Sequence, residues 1–112
     1  MSNTSTPVVG GLYATRGTDG RYGILKVLVV DDFAVHVRCY ADRFEQIPVD
    51  LRSAQLSIRV NEQGEFGIGH APINPEGFWR GEPILVGRET VQEDELDGYR
   101  IWAGIDSIDE PA

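Results

Sequence analysis

Residues 22–40 constrain the fold most. They read Tyr-Gly-Ile-Leu-Lys-Val-Leu-Val-Val, then Asp31-Asp32, then Phe-Ala-Val-His-Val-Arg-Cys-Tyr. Two runs rich in β-branched and aromatic residues around a short polar pair make a β-hairpin. Side chains alternate across a strand, so Phe33, Val35, Val37 and Cys39 share an apolar, core-facing side, while Ala34, His36, Arg38 and Tyr40 share the other. The first run is apolar on both sides, with Lys26 as its only charge. Such a strand is covered on both faces and belongs in the middle of a sheet. A two-residue loop at Asp31-Asp32 sets Val27 opposite His36 and Leu25 opposite Arg38. A three-residue loop sets Lys26 opposite Arg38, a like-charge pair that disfavours it.

Further strands follow from the same reasoning. Residues 8–15 form a first strand, joined to the central one through Asp19-Gly20, so the first three strands make a meander. Residues 41–46 read as one helical turn with Asp42 as N-cap, ended by Pro48. Residues 53–60 alternate, with Leu56, Ile58 and Val60 inward, and pair with residues 65–70. Residues 71–83 hold Pro72, Asn74-Pro75, Gly77, Gly81 and Pro83 and read as an irregular loop displaying Phe78 and Trp79. Ile84-Leu85-Val86 is another strand. Thr90-Val91-Gln92-Glu93 is a capping box opening a short helical turn that Gly98 stops. Residues 99–103 form a final strand. The expectation is an all-β, mainly antiparallel fold: a small barrel or strongly curved sheet of about seven short strands with one or two short helical turns. The 112 residues suit one domain over residues 8–105, with a disordered leader at 1–7 and an acidic tail at 106–112.

Charge and cysteine content narrow the function classes. The net charge is −8, and residues 89–112 hold eight acids against Arg100 alone. An acidic field repels nucleic acid, so no nucleic-acid partner is expected. The single cysteine, Cys39, excludes an internal disulfide. No apolar run approaches a membrane span, and residues 1–7 lack a signal-peptide pattern, so a cytoplasmic protein without membrane contact is expected.

Candidate chemistry is sparse. His36 and Cys39 are an odd number of residues apart on one strand and face opposite sides, which rules out a thiol–imidazole dyad; Cys39 reads as a buried structural thiol. His36 and His70 have no second metal ligand at a recognised spacing, so no metal and no cofactor are expected. Gly67-Ile68-Gly69-His70-Ala71-Pro72 lacks the third glycine and the helix of a dinucleotide site. Glu93 and Glu95 lie in an acidic run where nothing separates their pKa values for acid–base work.

The Leu12-Tyr13 strand, the turn through residues 19–23 and the returning Val35-His36-Val37-Arg38-Cys39-Tyr40 resemble small SH3-like or Tudor-like barrels. That resemblance implies binding rather than catalysis. Asp19 and Gly20 followed, after Arg21, by Tyr22 and Gly23 also resemble the strand start of small acidic bacterial immunity proteins, which implies a basic toxin as partner. The leading expectation is therefore a non-catalytic protein-interaction domain that binds a basic protein through Phe78, Trp79, Arg80, Glu93, Asp94, Glu95 and Asp97. The alternative is a small-ligand site on His36, Arg38, Tyr40 and Trp102, whose mix of donors and aromatics suits a pocket.

Overall fold

The computed structural model describes residues 6–58, 64 and 67–104. Five strands are described: β1 (Gly11–Arg16), β2 (Tyr22–Val30), β3 (Val35–Phe44), β4 (Ile68–Ile73) and β5 (Ile84–Arg88). They form one antiparallel sheet in the order β4-β3-β2-β1-β5. The meander and the central place of β2 follow the apolar pattern of its sequence. The sheet stays open, with β4 and β5 at its two edges, so neither a closed barrel nor seven strands is formed among the described residues.

Each face of the sheet is covered. On one, Tyr13, Val27, Val35, Val37 and Phe78 are buried together, with Leu25, Cys39, Ala71, Ile73 and Trp79 packed against them. Helix α1 (Pro75–Arg80) supplies Phe78 and Trp79 to this layer. On the other, Leu12, Ala14, Ile24, Tyr40, Leu51 and Val86 form the core, lined by Leu56 and Ile58.

Several elements differ from the sequence expectation. Residues 71–83 are irregular only at 81–83: β4 runs to Ile73, and Asn74 caps α1 by accepting from the Glu76 and Gly77 amides, with Pro75 in its first turn. Residues 41–44 continue β3 instead of turning into helix. Arg43 braces that end of the strand by donating to the Tyr40, Ala41 and Asp42 carbonyls. Ser53–Gln55 is a 3₁₀ turn rather than strand; Leu56 and Ile58 still pack inward, while Val60 lies outside the described residues.

The capping-box turn arrives two residues late, as a 3₁₀ turn over Glu93–Leu96 in which the Glu95 carboxylate accepts from the Gln92 amide. The chain does not stop at Gly98. It continues into helix α2 (Asp97–Ala103), replacing the expected last strand, and ends at Gly104 with φ 78°. Glycine is the residue that adopts this left-handed conformation without steric cost.

The hairpin register also departs from the two-residue loop. Val30 pairs with Val35, so residues 31–34 form the loop. Asp31 organises it, its Oδ1 accepting from the Phe33 and Ala34 amides at 2.8 Å each. Phe33 consequently sits at the tip, 79% exposed, and not in the core. A bulge between Val27 and Val29 then sets Lys26 opposite Arg38, the like-charge pairing that simple strand rules disfavour. No helix is long and apolar enough to cross a membrane among the described residues.

Candidate functional site

Residues 89–104 lie across the sheet face that carries Lys26, His36, Arg38 and Tyr40. Their acids answer the like-charge pair beneath. Lys26 is 1% exposed. Its Nζ donates to Glu95 Oε1 at 3.0 Å, to Oε2 at 3.2 Å and to the Thr90 carbonyl at 3.0 Å. The Arg38 guanidinium approaches Glu95 Oε2 at 3.9 Å, and Glu89 Oε1 stands 3.7 Å from Lys26 Nζ. Glu95 is thus a buried counter-charge shared by two cations, and a charge sealed from water is stable only with such partners.

Glu89 is held by Ser53, whose hydroxyl and amide both donate to its carboxylate. The hydroxyl bond in particular keeps the Glu89 carboxyl below its usual value. Tyr40, buried beside this group, makes no side-chain hydrogen bond to any described residue. Burial above all, then Glu95, pushes its phenol up to about 12.

At the other end of the same face the two histidines meet. His36 is wholly buried. Its Nε2 lies 2.8 Å from Asp31 Oδ2, and its Nδ1 lies 2.9 Å from His70 Nε2. Hydrogen bonds from the Phe33 amide first, and then from His36, hold the Asp31 carboxyl below its ordinary value. An ionised carboxylate only accepts, so His36 donates through Nε2; in the neutral pair its Nδ1 then accepts from His70. The His rings lie edge to edge, their planes within 11° of parallel and their centroids 5.1 Å apart, and Tyr99 and Trp102 of α2 pack on His36 at 4.7 and 4.5 Å between ring centroids. Gly98 allows this docking: a Cβ there would stand 2.6 Å from the His70 Cβ. Asp31, His36 and His70 make a hydrogen-bonded chain. Among the described residues no group of three or more His, Cys, Asp or Glu is arranged to hold a metal ion.

The sequence-derived site residues divide accordingly. His36, Arg38 and Tyr40 share one sheet face and Trp102 packs on it, but His36 is buried beneath α2 and Tyr40 in the core with Leu51, Leu56 and Ile58. Phe78 is a core residue, edge-on to Tyr13 at 5.2 Å and to Trp79 at 4.9 Å. Trp79 is half-buried against it, and Arg80 is exposed in the last turn of α1. These three lie over the face opposite that of Glu93, Asp94, Glu95 and Asp97, so the expected partner-binding set is not one patch. Glu95 points inward. Glu93 and Asp97 point out, with side chains 84% and 71% exposed, and Asp94 is exposed between them. Arg100 pairs with Glu93 at 2.5 Å. Ile101 and Trp102 stand beside these acids, 69% and 47% exposed.

Cys39 packs against the α1-side core, as alternation requires, and burial raises its thiol pKa. A shallow apolar groove between residues 47–49 and Ile84-Leu85 runs along β5, away from these groups. The pairing of His36 with His70 has no local signature: the two are 34 residues apart and meet only because β4 lies along β3. Comparison with protein-family models, with curated proteins and with solved structures finds no match to this chain.

Proposed function

We propose that this chain is a non-catalytic protein-interaction domain that docks a basic protein on the outer side of residues 93–103. One observation carries the reading: the acidic segment is divided, with Glu95 spent on Lys26 and Arg38 inside, and Glu93, Asp94 and Asp97 displayed outside beside exposed Ile101 and Trp102. Exposed apolar side chains on an acidic segment suit protein docking, where aromatic anchors carry affinity and charges steer encounter. The likeness to acidic immunity proteins makes a basic toxin, such as a nuclease, the partner class to test first.

The test is affinity capture at about 50 and about 500 mM salt, using the wild type and a variant carrying Glu93→Gln, Asp94→Asn and Asp97→Asn. The expected result is a basic protein held at low salt, weakened at high salt and lost from the variant. Equal capture by the variant, or capture indifferent to salt, contradicts the proposal.

A second reading, a small-ligand site on His36, Arg38, Tyr40 and Trp102, draws on the His36–Trp102 contact and on the Tyr40 hydroxyl, which has no hydrogen-bond partner among the described residues. It requires α2 to lift, because His36 is sealed beneath that helix.

A further inference from the structure

Helix α2 has no fully buried residue. Among the described residues its ring contacts with the sheet are those of Tyr99 and Trp102 with the histidine pair, and Gly98 lies against His70. The arrangement of the pair therefore governs how α2 is seated.

That arrangement tolerates a limited number of protons. The 2.9 Å contact between His36 Nδ1 and His70 Nε2 has room for one hydrogen. In the neutral pair it comes from His70. In the singly protonated pair the cation is stabilised by Asp31 at one end while a hydrogen still bridges the rings. With two protons, both facing nitrogens carry hydrogen, neither can accept, and two cations stand in contact. The rings must then part.

We propose that double protonation of the His36–His70 pair unseats α2, so that the pair is an acid-sensitive latch on the C-terminal segment.

Among the described residues, the groups around the pair are few. The hairpin loop contributes Asp31, β3 contributes Arg38, whose Nε reaches the Gly69 carbonyl at 3.4 Å, and α2 contributes Tyr99. Asp97 and Arg100 of α2 face each other and Glu93 at the surface. Asp31 is thus the one carboxylate bonded to the pair among the described residues, and it is engaged at Nε2 of His36, remote from the shared contact. Burial first, then His36, holds His70 below the ordinary histidine value, so His70 takes up a proton only on the acid side of about pH 6.5. The latch rests on the histidine geometry and not on the proposed docking function.

Trp102 fluorescence in a Trp79→Phe background reads the latch directly, followed from about pH 7.5 to about pH 4.5, with far-UV circular dichroism at each point. Asp31 and Glu89, held below ordinary carboxylate values, remain charged over this range. The expected result is a red shift of Trp102 emission with the sheet signal unchanged. His70→Gln, whose amide can still donate to His36 Nδ1 but takes up no proton, is expected to keep its neutral-pH emission throughout.

A flat emission profile in the wild type, a red shift in His70→Gln equal to that of the wild type, or collapse of the sheet signal together with the shift overturns the latch. Imidazole nitrogen chemical shifts of the unsubstituted protein give a test that needs no variant. Both rings are expected as the Nε2–H tautomer at about pH 8, and an Nδ1–H tautomer on His36 overturns the arrangement.

Discussion

Lys26 shows how a residue that looks misplaced is explained by a partner far along the chain. Opposite Arg38 it is a repulsive pair. With Glu95, 69 residues away in sequence, it becomes the centre of a compensated cluster. Local strand rules see the repulsion and favour another register; the compensation belongs to tertiary structure and leaves no trace near residue 26. Replacing Lys26 by Met leaves the buried Glu95 without its nearest cation. We expect a loss of about 3–5 kcal/mol in urea unfolding. Lys26→Met combined with Glu95→Leu is expected to recover much of that loss, because an apolar pair carries no desolvation cost. A double variant as unstable as the single one contradicts this reading of the cluster.

At the scale of elements, β1, β2, β3 and β5 were legible, because their apolar residues recur in runs that a strand alone explains. The two helices were not. Asn74-Pro75 is an N-cap followed by a first-turn proline, a genuine helix signal, masked by Gly77, Gly81 and the six-residue length of α1. Asn74→Ala is expected to cost about 1 kcal/mol in chemical unfolding, the usual worth of such a cap.

In α2, Tyr-Arg-Ile-Trp-Ala has strand-like composition, yet Tyr99 and Trp102 are three apart and share the helix side that meets His36. Gly98, expected as a stop, instead lies within the helix against His70 of β4. Gly98→Ala introduces a methyl 2.6 Å from the His70 Cβ, so α2 must shift outward. The expected outcome is a loss of about 1–3 kcal/mol and weaker near-UV circular dichroism from Trp102. Unchanged stability and spectrum contradict the docking of α2 on His70.

For the whole molecule, the shifted groups set the pH response. His70 has a folded value below its unfolded one, so the unfolded chain binds protons more readily and stability falls as pH drops below about 6.5. Asp31 and Glu89 are also lowered. Their contribution is complete above their unfolded values and is lost as pH falls through the folded ones, a second and more acidic decline. Tyr40, raised to about 12, loses stability as pH climbs past its unfolded value near 10. Urea unfolding across pH is expected to show a neutral plateau, a two-stage acid fall and an alkaline fall. His70→Gln removes the first acid stage alone; persistence of that stage in the variant contradicts the assignment.

One acidic segment is divided between an inner lock and an outer display. Urea unfolding at neutral pH of two variants, Glu95→Gln and the combined Glu93→Gln, Asp94→Asn and Asp97→Asn, tests this division. The single inner change is expected to lose at least about 2 kcal/mol, while the triple outer change stays within about 1 kcal/mol of the wild type. Equal losses, or a Glu95→Gln protein as stable as the wild type, would contradict the division on which the proposed docking surface rests.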